Sequence, residues 1–192
     1  MCIRDSKDSV SGITVSQFAI VIEDLGELRS RVGAKNKKET AAFFPCETFE
    51  DERRRLILYF QYMIGNSDWS LSGMRNVKVL LKNEKCFLVP YDFDFAIMVD
   101  APYALLYDAN KSLLSKRRIY QGSKEDTENL LPTLLIFITT KEKFLRTIRK
   151  CRLLKRKERK ELIQFMNSFY EKIGELNMPS SMINQKVEED LR

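Results

Sequence analysis

The sequence predicts an α+β fold, mainly helical, arranged around a central β-hairpin that carries the candidate site. Three observations lead there. Apolar residues recur at helical spacing in Leu56, Ile57, Phe60, Met63 and Ile64, and again in Leu162, Ile163, Met166, Phe169, Tyr170 and Ile173; each set makes one apolar stripe. Between them, Val77, Val79 and Leu81 alternate with Lys78, Leu80 and Lys82, Asn83-Glu84 reads as a turn, and Cys86 to Val89 return, so 76–89 reads as a hairpin. Finally, 44% hydrophobic and 31% charged residues, with only 7 Gly and 5 Pro in 192 residues, describe a folded globular chain of about one domain.

Taken in order, residues 1–12 read as a leader that is non-native or disordered, because Met1 to Ser6 (MCIRDS) resemble a translated sequencing adapter. The β-branched, apolar run 13–23 predicts a buried strand closed by Glu23-Asp24, and Leu25 to Val32 a short helix. Residues 33–46 lack a period and read as a loop. Thr48 and Asp51 predict a capping pair, with Glu47, Glu50, Asp51 and Glu52 at the positive end of the next helix, which Gly65 ends. After the hairpin Pro90 ends the strand, and Tyr91 to Ala96 are expected to stay extended. Residues 101–125 read as irregular, 126–151 and 155–176 as helices with Pro132 tolerated near the start of the first, and 177–192 as a frayed tail.

Composition narrows the chemistry. Without histidine there is no Ser-His-Asp or Cys-His catalysis and no His-ligated zinc. Cys2, Cys46, Cys86 and Cys151 form no CxxC pair; no disulfide framework is expected, and Cys86 and Cys151 read as small buried hydrophobes. Eight Lys or Arg and one Glu fall within 149–160, a local +7 in a chain of net +6. The run has no interleaved aromatics, so nucleic acid is not an expected partner. It reads as a solvated helix end or connecting turn, with binding of an acidic partner as the alternative. No apolar run approaches the about 18 residues of a membrane helix.

The chemistry concentrates between Gly65 and Tyr103. Asp92 and Asp94 are two apart, which in an extended segment aims both carboxylates at one face and Phe93 and Phe95 at the other, into the core. Adjacent carboxylates repel unless a cation or donor lies between them, and all-oxygen ligation suits Mg²⁺ or Mn²⁺. Asn76 could add a neutral oxygen to that ion, and Asp68 could face a reacting hydroxyl. Alternatively, Asp92 and Asp94 are surface or capping acids, and Asn66-Ser67-Asp68 is a hydrogen-bonded turn. Trp69 reads as a packing residue beneath the loop, Tyr91 and Tyr103 as core residues, and Lys78 and Lys82 as solvated.

The order Asp68, Asn76, hairpin, Asp92 is the order in which protein kinases carry their catalytic Asp, metal Asn and metal Asp. The gap from Asp68 to Asn76 is eight residues, against the common gap of about five. The segment resembles the CotH family of atypical kinases, which share an Asn-x-Asp loop and a terminal Asp-x-Asp. More closely, it is similar to a bacterial group, common in Bacteroidetes, with F-Q-Y-x-I-G-N-T-D-W-S, then H-N-x-K, then V-P-Y-D-F-D. The matching residues are Phe60 to Ser70, Arg75 to Lys78 and Val89 to Asp94; 101–104 (APYA) and 118–122 (RIYQG) also fit the group. Arg75 stands where the group has His.

The resemblance implies a protein-kinase-like C-terminal lobe over 13–176, with the strand near 13–24 as the hinge and Glu23 contacting the nucleotide. It implies an ATP- and Mg²⁺-dependent phosphotransferase with Asp68 catalytic, Asn76, Asp92 and Asp94 on the metal, and a protein or small-molecule hydroxyl as acceptor. The N-lobe would be absent: only Gly12 precedes the hinge, so no Gly-rich phosphate loop is present, and the chain alone is not expected to transfer phosphate efficiently. Two other readings stand beside it, a catalytically silent kinase-like binding module and a metal-dependent glycosyltransferase using Asp-x-Asp.

Overall fold

The computed structural model describes residues 2–7, 10–20, 22–35, 48–105, 118–123, 126 and 130–176. The expectations for 36–47, 106–117 and 177–192 lie outside these residues. The described chain is mixed α+β, with four α-helices and two antiparallel two-stranded sheets.

β1 (Cys2–Lys7) pairs with β2 (Thr14–Ile20), with a register shift between Ile3 and Asp5. The extended β2 offers a ladder of backbone donors and acceptors that residues 2–7 fill. α1 (Leu25–Val32) starts where the Asp24 carboxylate accepts from the N–H groups of Gly26 and Glu27, and stops at Gly33 in the left-handed conformation.

α2 (Asp51–Ile64) is the centre of the molecule. The expected Thr48–Asp51 cap is absent: Glu50 is the N-cap and makes no side-chain cap bond. The preceding residues instead pair with the hairpin, the Thr48 carbonyl accepting from the Cys86 N–H at 2.7 Å and the Glu50 N–H donating to the Cys86 carbonyl at 3.2 Å. The helix is also buried on two sides, not one. Tyr59, Tyr62 and Met63 pack with α3 (Leu131–Lys150) and α4 (Arg156–Leu176) around the fully buried Phe169, while Ile57 and Leu58 pack with Trp69 and the hairpin. Burial of a side chain such as Phe169 stabilises by about 1.5–3 kcal/mol. The predicted stripe of α4 faces this core along its length.

The hairpin is β3 (Val77–Lys82) with β4 (Lys85–Pro90), in register from Val77↔Pro90 to Lys82↔Lys85. Its turn residues Asn83 and Glu84 have φ of 51° and 59°, the sign pattern of the two-residue turn that matches strand twist. Leu80 is buried like Val79 and Leu81, so the hairpin is covered on both faces. Cys86 is buried but disulfide-bonded, and Cys151 is a half-buried free thiol. Cys86 is thus buried in the core as expected but is not a free thiol, and Cys151 is less buried than expected.

Arg118 locks the helices together. Its guanidinium donates to the Met63 carbonyl, the Ser168 hydroxyl and the Phe165 carbonyl at 3.0, 2.9 and 2.5 Å, and lies 3.7 Å over the Phe165 ring. The basic run forms the end of α3, the turn and the start of α4, as expected for a connecting turn. Arg159 pins that turn by donating to the Cys151 and Leu154 carbonyls. Among the described residues, no helix is long and apolar enough to cross a membrane.

Candidate functional site

The site forms at the open end of the hairpin. Beyond the Val77↔Pro90 pair the Tyr91 N–H donates to the Asn76 carbonyl at 3.0 Å, so Asn76 and Tyr91 close the ladder. Both strands then leave through left-handed residues, Asn76 (φ 54°) on one side and Asp92 (φ 57°) on the other. Asn and Asp are the non-glycine types that tolerate this conformation best.

The loop entering β3 is itself a small hairpin. Ser70 and Arg75 exchange backbone hydrogen bonds of 3.0 Å, and the Ser70 hydroxyl accepts from the Gly73 N–H. This fold-back brings Asp68 to Asn76. The Asn76 amide nitrogen donates to the Asp68 carbonyl at 2.6 Å and to its Oδ2 at 3.0 Å. Because both partners are acceptors, the amide oxygen must point the other way. The Arg75 Nε lies 3.3 Å from Asp68 Oδ1.

Behind the loop, Gln61 and Asn66 are each 1% exposed. The Asn66 amide donates to Gln61 Oε1 at 3.0 Å and its own Oδ1 accepts from the Asp68 N–H at 3.0 Å. A hydrogen-bonded line therefore runs from the core of α2 to Asp68. Gln121 adds an outer bond, donating to the Ser67 carbonyl at 3.0 Å.

Asp92 and Asp94 do meet, though not as neighbours on a strand. Tyr91 to Ala96 are not extended: after left-handed Asp92 the chain turns, and the Ala96 N–H donates to the Phe93 carbonyl at 3.0 Å. The end of the ladder leaves these groups without strand partners, and the turn satisfies them locally. Phe93 packs on Phe60 at the core as expected, but Phe95 packs against Tyr103, with centroids 5.8 Å apart. Tyr103 is half-exposed, not core, and its hydroxyl donates to Asp94 Oδ2 at 3.0 Å.

The Asp92 carboxyl is pushed above its ordinary value. Partial desolvation contributes most, followed by a shared hydrogen bond with Asp94, the Asp94 charge and the more distant Asp68 charge. The structure thus gathers Asp68, Asn76, Asp92 and Asp94 at one end of the hairpin. Glu23 is engaged elsewhere, gripping Arg31 through both carboxylate oxygens at 2.8 and 2.6 Å. Arg75, Tyr103 and Gln61 are the site residues whose contacts sequence reasoning missed. For Arg75 and Tyr103 the available signal was their place inside the motifs at 75–78 and 101–104.

Among the described residues, no group of three or more Cys, Asp or Glu side chains is arranged to hold a metal. The donors do not fit an all-protein cage. They fit the other habit of Mg²⁺, one or two carboxylates completed by water and phosphate oxygens, with the mutual repulsion at Asp92 as the charge that a cation would offset. No protein-family model, curated protein or solved structure matches this chain.

Proposed function

We propose that this chain is the acidic half of a phosphotransfer site, of the kinase-like type that the CotH resemblance implies. The observation carrying the reading is the convergence of Asp68, Asn76, Asp92 and Asp94, which span 27 positions of sequence, on the open end of one hairpin. Asp68 is the group that would orient or deprotonate an acceptor hydroxyl. Its backbone is held by Asn66 and its carboxylate by Asn76, so little reorganisation is needed when the hydroxyl arrives. Asp92 and Asp94, with Asn76 beside them, are the oxygens that would hold Mg²⁺ against a nucleotide's phosphates. The bound ion would supply charge neutralisation of those phosphates. Tyr103 orients Asp94 by its hydrogen bond.

A second reading, the catalytically silent module, is favoured by one specific contact. Arg75 stands against the Asp68 oxygen that the Asn76 amide leaves open, where a reacting hydroxyl would need to bind.

Thermal unfolding with and without Mg²⁺ and ATP tests the proposal. The expected result is a rise in Tm with Mg²⁺, larger with Mg²⁺ plus ATP and lost in the Asp92→Asn/Asp94→Asn double variant. An unchanged Tm in the unaltered chain overturns the phosphotransfer reading. A response to a nucleotide sugar but not to ATP would assign the site to glycosyl transfer.

A further inference from the structure

We propose that the outer side of α3 and the α3–α4 turn form a docking surface for an anionic lipid membrane. The first half of α3 sends Thr133, Leu134 and Phe137 inward. It leaves Leu131 58% exposed, Leu135 48% exposed and Ile138 also in solvent. Their spacing of four and three places them in one row. Continuing along the helix, that row runs into exposed Arg146 and Arg149. Glu142 lies between and is ion-paired with Arg149 at 3.2 Å.

The hydroxyls of this helix make no outward demand. Thr139, Thr140 and Thr147 each donate to a carbonyl one turn back, at 2.8, 2.6 and 2.9 Å. The helix can therefore enter a headgroup layer without leaving these donors unsatisfied.

Where α3 ends the charge begins. Residues 149–160 carry +7 while the remainder of the chain sums to −1. Within that run Leu153 is 69% exposed, beside exposed Arg152, Lys155 and Arg156. Arg159 holds the turn in shape from within. An aliphatic tip ringed by cations at the end of α3, and an aliphatic row that ends about 18 Å of helix before it, provide the two weak signals whose combination binds a membrane surface. A protein hot spot would be richer in Trp and Tyr, and neither occurs between 121 and 169. The surface faces a negatively charged partner by charge complementarity. The aliphatic component selects lipid over an acidic protein.

The test is co-sedimentation of the full chain with phosphatidylcholine vesicles, with and without phosphatidylserine. Binding is expected only with phosphatidylserine and is expected to fall as salt rises. Arg152→Gln/Arg156→Gln should weaken it about 30-fold, the roughly fivefold worth of one basic residue near an anionic surface taken twice. Leu135→Gln and Leu153→Asn, both at exposed positions and both without change of charge, should each weaken it severalfold with unchanged circular dichroism and Tm. No binding to phosphatidylserine vesicles overturns the proposal, as does equal binding to neutral vesicles. Retention of full affinity in both leucine variants also overturns it, because the chain would then be adsorbed by charge alone. A dimer in sedimentation velocity that Leu135→Gln weakens, without vesicle binding, would give the face to a second copy instead.

Discussion

Gly65→Ala separates two physical costs that usually arrive together. Gly65 ends α2 at φ 69°, and its N–H donates to the Tyr62 carbonyl at 3.1 Å. A side chain in this conformation costs roughly 1–2 kcal/mol. A Cβ here would also meet three atoms of Ile97 at 2.9–3.0 Å. Ile97 cannot simply retreat, because its N–H donates to the Gly65 carbonyl at 3.2 Å and Met98 bonds Ile64 beside it. Overpacking of this kind adds about 1–3 kcal/mol, so the total expected loss is about 2–5 kcal/mol, a large share of a typical domain's stability. Gly33→Ala is the internal control. Its φ is 68°, nearly the same, but nothing lies within 4 Å of the added Cβ. It should cost only the backbone part, about 1–2 kcal/mol. Urea unfolding followed by circular dichroism measures both, with the midpoint moving and the slope unchanged. Equal losses at the two glycines would refute the close approach of Ile97 to the end of α2.

Other measurements bear on the site and the core. The Asp92 carboxyl titrates above its unfolded value, so its contribution is favourable below the unfolded value of about 3.9 and is lost as pH rises through the folded value. Without divalent metal, Asp92→Asn should therefore raise Tm at neutral pH and leave it unchanged near pH 3; a lower Tm at neutral pH would contradict the crowding with Asp94. Arg118, held down at about 10 by burial, should not tolerate Lys. Arg118→Lys loses the three-way fork and the stacking on Phe165, for about 2–4 kcal/mol, and a midpoint within error of the parent would remove its role as a clamp. Alkylation, read by peptide mass mapping, should modify Cys151 in the native chain but Cys86 only after both unfolding and reduction; modification of Cys86 in the unfolded chain without reductant would disprove its disulfide.

Local patterns carried much of this architecture. The stripe of α4, the stop at Gly65 and the hairpin around Asn83-Glu84 are each written within a few residues, because periodicity and turn chemistry act over that range. The acidic motif was legible in the same way, as residue types at a spacing. Tertiary structure decided what no short window contains. It placed α2 between two layers, so that its burial exceeds one stripe. It laid residues 48–50 along β4, which displaced the expected cap. It set the conformation of Asp92 through the end of the β3–β4 ladder and so exchanged an extended acidic segment for a turn. The pairings of Arg75 with Asp68 and Tyr103 with Asp94 depend on where two loops meet. A side chain's intrinsic chemistry belongs to the sequence, whereas its neighbours, and hence its charge environment, exist only once distant segments have packed.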